Sequence, residues 1–198
     1  MIALIDYHAG NLTSVKKALA AVGADVFVPE RPADLASAAA VIVPGVGHFG
    51  ATRALDRAWV DAVVERIEES RPLLGICLGM QWLFESSAEA SDLAGLGVLS
   101  GRCERLSNLG VKVPHVGWNT LTIERDSWIA DGVPDQAQVY FTHSYVAPIT
   151  GDLVASAEHG DRFAAIVQRG HVAGVQFHPE KSGDVGLRIL KNFVALAG

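Results

Sequence analysis

The sequence predicts an α/β fold: an open, mostly parallel, doubly wound sheet with added antiparallel strands, in a single domain over residues 1–198. Three observations carry this expectation. Short apolar runs alternate with stretches of helical periodicity through the first half of the chain, the pattern of β-α-β units. One of those runs ends in a Gly-x-Cys-x-Gly turn at Gly75-Ile76-Cys77-Leu78-Gly79, a sharp strand-to-helix junction. From about Leu96 the chain changes to short β-like runs bounded by Gly, Pro and Asn, which read as antiparallel strands added to the parallel core.

Taken in order, residues 2–5 form a continuous apolar run that suits a central parallel strand, followed by a polar loop at Tyr7-His8-Ala9-Gly10-Asn11. Leu12, Val15, Leu19 and Val22 recur at helical spacing, and Gly23 closes that helix. Residues 26–29 and 41–43 are the next strands. After Gly45-Val46-Gly47-His48-Phe49-Gly50 a long helical stretch runs through Trp59, Val63 and Ile67 and stops before Pro72. The fourth strand carries Cys77, and Met80, Leu83 and Phe84 continue beyond it at helical spacing. Later strands are expected at 111–113, 119–123, 139–141, 154–157, 164–167 and 172–177. An amphipathic helix is expected over 182–196, with Leu187, Leu190 and Val194 on one face.

Composition narrows the chemistry. With 49% hydrophobic residues, 19% charged residues and a formal net charge of −6, the chain suits a soluble globular domain and lacks the basic surface of a nucleic-acid binder. Its apolar runs are strand-sized, short of the ~20 residues that span a bilayer, and its first residues lack a basic n-region and a cleavage site. A cytosolic protein is expected. Cys77 and Cys103 form no CxxC pair, so neither a disulfide framework nor a structural zinc site follows, and Cys103 reads as an inert strand residue. His8, His48, His115, His143, His159 and His171 show no metal-ligand spacing and are expected mostly in loops or on the surface; neither metal nor cofactor is expected.

The chemistry centres on Cys77. Glycines on both sides permit a turn that displays the middle side chain at the start of a helix, where free N–H groups and the helix dipole favour a thiolate. A cysteine nucleophile needs a base and a group to orient it, and His178-Pro179-Glu180 supplies both. In an extended segment residues i and i+2 point the same way, so Glu180 can lie beside the His178 imidazole. Attack on an amide also needs two backbone N–H donors for the oxyanion, each worth on the order of 3 kcal/mol of barrier. Leu78 N–H is the natural first donor; the second is expected from residues 44–47, where Val46 or Gly47 can turn an amide inward. Gly45-x-Gly47-x-x-Gly50 matches a dinucleotide fingerprint, but it does not follow the first strand, and the acids beyond it fall in a helix.

Taken together, Gly75-Ile76-Cys77-Leu78-Gly79-Met80-Gln81, Pro44-Gly45-Val46-Gly47-His48-Phe49-Gly50 and His178-Pro179-Glu180 resemble the motifs of class I, or triad, glutamine amidotransferases. Within that family, Pro114-His115-Val116-Gly117-Trp118-Asn119 and Phe141-Thr142-His143-Ser144-Tyr145 are similar to stretches of the glutaminase subunits that serve imidazole glycerol phosphate synthases in histidine biosynthesis. The resemblance covers essentially the whole chain. It implies hydrolysis of L-glutamine through a γ-glutamyl thioester on Cys77, with His178 as base and acid and Glu180 orienting it. It also implies that ammonia passes to a separate cyclase subunit of (β/α)8 barrel type, in a heterodimer. Gly47, Gln81 and the main chain of His143, Ser144 and Tyr145 are implied to hold the glutamine.

Gln81 lies one turn past the nucleophile and Glu89 about two turns beyond it, so both are candidates to face the substrate ammonium. Asn11, Trp118 and Lys181 are candidates for the partner face; the competing readings make Trp118 a core residue and Lys181 and Glu89 solvated charges. Other functional readings are a cysteine esterase of α/β-hydrolase type, disfavoured because its acid precedes its histidine, and a catalytically dead interaction module. A glutaminase for pyridoxal phosphate or anthranilate synthesis is opposed only by residues 114–119 and 141–145.

Overall fold

Runs of aliphatic residues too short for helices build the first half of the sheet. In the structure, a computed structural model describing residues 1–107 and 110–198, these are β1 (Ile2–Leu4), β2 (Val26–Phe27), β3 (Ala40–Val43) and β4 (Leu73–Ile76). Between them lie α1 (Leu12–Ala21), α2 (Arg57–Glu68) and, after β4, α3 (Leu78–Trp82). The starts of α1 and α2 follow from side-chain caps: Asn11 Oδ1 accepts from Ser14 N–H, and Asp56 Oδ1 accepts from Ala58 and Trp59 N–H.

The second half contributes β5 (Ser86–Ser87), β6 (Arg102–Arg105), β7 (His115–Thr120), β8 (Thr122–Ile123), β9 (Gln138–His143) and β10 (Tyr145–Val146). It ends with β11 (Leu153–His159), β12 (Asp161–Arg169), β13 (Val172–Val175) and α4 (Gly183–Leu196). The main sheet has the order β2-β1-β3-β4-β13-β12-β11-β8. From β2 to β13 the strands are parallel; β12, β11 and β8 extend it antiparallel. Strand order reverses between β1 and β3, so the loops leaving their carboxyl ends diverge and open a crevice there.

Both faces are covered. Ile2, Leu4, Ile42, Leu74 and Ile76 pack with Val15 and Leu19 of α1 and Ile189, Leu190 and Phe193 of α4. Ala3, Ile5, Val41, Val43 and Leu73 pack on the other side with Val63 of α2 and Met80 and Trp82 of α3. Alternate residues of one strand thus enter opposite cores, as a doubly wound sheet requires. No helix is long and apolar enough to cross a membrane among the described residues.

Four expectations need correction. Residues 111–113 form no strand, and pairing starts at His115. The later strands do not all join the core: β7 and β9 make a separate two-stranded sheet, and β10-β6-β5 a three-stranded one. The pattern of β7 explains its separation: one face carries His115 and Asn119 and the other leaves Val116 and Trp118 exposed, so it lacks the two buried apolar faces of a central strand. The helix after Cys77 stops at Trp82, where the Trp82, Leu83 and Phe84 carbonyls accept from Leu96, Leu99 and Gly97 N–H and not from a further helical turn. Finally, residues 176–177 lie beyond β13, which ends at Val175.

The tightest approach in the sheet is at Gly79, where an added Cβ would stand 1.8 Å from the Val43 carbonyl oxygen. Gly79→Ala is therefore expected to destabilise by at least ~2 kcal/mol in denaturant unfolding. Gly151→Ala, where a Cβ meets open space, is expected to stay within about 0.5 kcal/mol.

Candidate active site

Cys77 sits between the end of β4 and the start of α3, with φ 53° and ψ −105°. Its N–H donates to Val175 O at 2.7 Å, tying the turn to β13. The positive φ belongs to the cysteine itself; the flanking glycines serve close approach. A Cβ on Gly75 would stand 2.6 Å from Gly79 O, and one on Gly79 would strike β3. A strained, non-glycine residue held by packing on both sides is a common device of functional sites. The Cys77 side chain is buried but lines a cavity of about 290 Å³, together with Val46, Gly47, Leu78, Gln81, Glu89, Pro114, Thr142, His143, Ser144 and Tyr145.

His178 leaves the carboxyl end of β13 and is held by its backbone: its N–H donates to Tyr140 O, and its carbonyl accepts from Ser182 Oγ at 2.6 Å. Nδ1 lies 2.8 Å from Glu180 Oε1, with both side chains only 2% exposed. The route to this contact differs from the expected extended segment. Pro179–Lys181 forms a 3-10 turn, which Pro179 starts, and Glu180 folds back onto the imidazole from it. Burial opposes charge on His178, but the neighbouring Cys77 sulfur and the Glu180 carboxylate outweigh it and raise the imidazole from 6.5 to about 9. His178 Nε2 and Glu180 Oε2 are buried without a hydrogen-bond partner among the described residues. An imidazole nitrogen left unpaired beside a sulfur is poised to exchange a proton with it.

Sequence reasoning missed Gln176. It is fully buried, its Nε2 donates to Cys77 Sγ at 3.6 Å, and its Oε1 accepts from Gln81 Nε2 at 3.1 Å. A polar residue two positions before His178, closing an apolar run, was the available signal. Gln81 Nε2 also donates to Tyr145 O at 2.8 Å. Cys103, buried in β6, contacts Gln81 O at 3.7 Å, and burial pushes its thiol up.

The N–H expected as first oxyanion donor is engaged. Leu78 N–H donates to Gly45 O at 3.2 Å, a bond the sequence could not show. Glu89 reaches the cavity, though from a 3-10 turn at Ala88–Ala90 and not from a continuing helix; its Oε2 accepts from Phe49 N–H at 2.6 Å. Of the main-chain groups at 143–145, Ser144 O already accepts from Leu106 N–H, and Tyr145 O accepts from Gln81.

Two histidines expected in loops or on the surface are buried. His143 Nδ1 lies 3.1 Å from Tyr145 O, so it must carry the proton. His143 Nε2 then accepts from His115 Nδ1 at 3.0 Å, and His115 Nε2 accepts from Asn119 Nδ2 at 3.3 Å. Burial first, and neighbouring imidazoles second, lower His115 to about 4 and hold His143 down at about 3, so this chain is neutral at pH 7.

The three partner-face candidates are exposed. Trp118 is 56% exposed, which overturns the core reading, and Val116 beside it on the same face of β7 is 58% exposed. Lys181 Nζ lies 5.6 Å from the centre of the Tyr140 ring, whose edge meets Trp118 at 6.1 Å between centroids. Asn11 is the cap of α1.

The chain is similar to known proteins over nearly its whole length. The family described as glutamine amidotransferase class-I matches residues 3–197. A protein named imidazole glycerol phosphate synthase subunit HisH from Xanthomonas axonopodis pv. citri is 46% identical, over 99% of this chain and 98% of its own. The protein of the same name from Shouchella clausii is 48% identical, over 98% and 97%. A crystal structure described as glutamine amidotransferase superposes with a TM-score of 0.79 over all of both chains at 24% identity. The structure of PurLQS from Thermotoga maritima gives 0.76 over 98% and 97% at 17% identity. These two likenesses concern the fold.

Proposed function

Because the chain belongs to the class-I glutamine amidotransferase family, we propose that its site hydrolyses L-glutamine through a thioester on Cys77 and delivers the ammonia to a cyclase partner. The protein is the glutaminase subunit of an imidazole glycerol phosphate synthase; relatives near 45% identity are named as a subunit of that enzyme. The observation that carries the mechanism is a strained cysteine lining a cavity beside a buried His178–Glu180 pair.

The steps follow from the groups present. Cys77 Sγ attacks the side-chain amide carbon of glutamine, and His178 holds the thiol proton. Collapse of the tetrahedral intermediate breaks the C–N bond; His178 gives the proton to the departing nitrogen, which leaves as ammonia. Water then attacks the thioester, His178 takes its proton, and glutamate leaves as the thiol is restored. Glu180 keeps the imidazole in one tautomer and stabilises its charged form, consistent with the raised value.

The oxyanion needs Leu78 N–H, which the Gly45 carbonyl now occupies. Rotation of the Gly45–Val46 peptide would remove that carbonyl and turn Val46 N–H inward as the second donor. Gly47, at φ 105° with open space where a Cβ would be, gives the loop the freedom to do so. Gln81 and Glu89 are our candidates for the substrate ammonium, and the main chain of His143, Ser144 and Tyr145 for its other polar groups. We place the protein in the cytoplasm on its two free thiols.

For the partner we propose a (β/α)8 barrel bound as a heterodimer over the carboxyl edge of the sheet. Trp118 and Val116 are two of the five exposed large hydrophobic residues described, and an exposed aromatic beside an aliphatic neighbour is the usual anchor of an interface. Lys181, stacked over Tyr140 next to Trp118, extends this patch towards the triad; Asn11 opens on the same edge.

Cys77→Ala is expected to abolish ammonia release from glutamine in the presence of the cyclase while leaving partner binding at the parental affinity; release near the parental rate would assign the nucleophile elsewhere. A pH profile of kcat/KM should fall above about 9, because His178 keeps its proton below that value and loses it above. Glu180→Gln, which removes one of the groups raising His178, should bring that limb down towards 6.5. Trp118→Ala should weaken cyclase binding by roughly 2 kcal/mol in a calorimetric titration, without altering the melting temperature of the free subunit.

A further inference from the structure

Tyr7 carries an unexplained polar atom. It follows β1, is 5% exposed, and its hydroxyl is buried with no hydrogen-bond partner among the described residues. A buried hydroxyl without a partner costs stability, on the order of 1–3 kcal/mol, and phenylalanine would fill the same space without that cost. The hydroxyl stands against one particular piece of backbone. A Cβ on Gly45 would lie 2.0 Å from Tyr7 Oη and 2.9 Å from Leu78 Cβ, so Gly45 must be glycine while the tyrosine is present. On the other side, a Cβ on Gly10 would come within 3.3 Å of Gly45 Cα. The loop after β1 therefore braces the loop after β3 at the residue whose carbonyl blocks Leu78 N–H.

Hydrogen-bond accounting connects these facts. In the present arrangement the Gly45 carbonyl has a partner, Leu78 N–H, and the Tyr7 hydroxyl has none. When Leu78 N–H turns to the oxyanion, the Gly45 carbonyl loses its donor inside a buried loop, and that loss opposes the change. Resting on the glutaminase reading above, we propose that the Tyr7 hydroxyl is a positioning group that donates to the released Gly45 carbonyl, so that freeing the oxyanion donor exchanges one buried hydrogen bond for another. Tyr7 then touches neither substrate nor sulfur; it acts through the loop. Burial and the nearby Cys77 hold the phenol protonated well above its ordinary range, so it remains a donor throughout the working pH of the site. The arrangement also accounts for the orphaned hydroxyl of the resting state, since its partner is present only while the intermediate is.

The test compares Tyr7→Phe with the parent, each as the full chain in complex with the cyclase. The bond exists only when the oxyanion donor is free, so kcat for ammonia release should fall about five-fold, the effect of one neutral hydrogen bond, while KM for glutamine stays within about two-fold. The melting temperature should equal or exceed that of the parent, because the variant removes an unsatisfied group. A Phe variant with the parental kcat overturns the proposal. So does one that loses kcat and melting temperature together, since the hydroxyl would then serve the resting fold. A parental complex that releases no ammonia from glutamine overturns the glutaminase reading and this proposal with it, whereas failure of the Phe variant alone leaves that reading intact.

Discussion

The site hangs from the contact between the start of α3 and the end of β3, where a Cβ on Gly79 would stand 1.8 Å from the Val43 carbonyl oxygen. Because that helix lies directly on the strand, β4 must turn abruptly, and the turn is absorbed by Cys77 at φ 53°. Strain in the cysteine and absence of side chains around it are two sides of one constraint. The same packing brings Leu78 N–H against the Gly45 carbonyl, so the loop after β3 is coupled to the elbow without any side chain between them. The imidazole arrives separately: β13 pairs beside β4 in register, Val175 with Ile76, and the next few residues carry Gln176 and His178 towards the sulfur.

Much of this was legible in the residues. Aliphatic runs bounded by glycine and helices capped by Asn11 and Asp56 are local signals, and the parallel half of the sheet follows from them. Cys77 with its glycines, and His178 with Glu180, are also local, since each pair is joined by a few bonds of backbone. What escaped were relations between distant segments. Gln176 matters only because β13 lies beside β4, and the Leu78–Gly45 bond only because two loops meet. The buried state of His115 and His143 depends on β7 pairing with β9, a contact no spacing rule reveals. The separation of β7 and β9 from the main sheet was missed for the same reason: alternation tells which residues are half-buried, not which sheet takes them.

The histidine chain gives the β7–β9 sheet an unusual relation to the cavity. Asn119, His115 and His143 pass one consistent set of tautomers to the Tyr145 carbonyl, which also receives Gln81. Each donor in the chain fixes the next, so turning one ring forces the others or leaves a buried nitrogen unpaired. Trp118 lies on the same strand, between His115 and Asn119, with its side chain in solvent. A contact that shifts β7 therefore bears on the residues lining the cavity beside Cys77 through hydrogen bonds already in place.

The placement of β13 between β4 and β12 has a consequence for how the protein comes into being. Cys77 belongs to the half of the chain synthesised first, His178 to the last stretch before α4, and they meet only when the final parallel strand slots in beside β4. Until then Cys77 has neither imidazole nor carboxylate at hand, and Gln176 is not there to lie against its sulfur. A nascent chain thus carries a solitary thiol, and the pairing of sulfur with imidazole is made by completion of the fold itself.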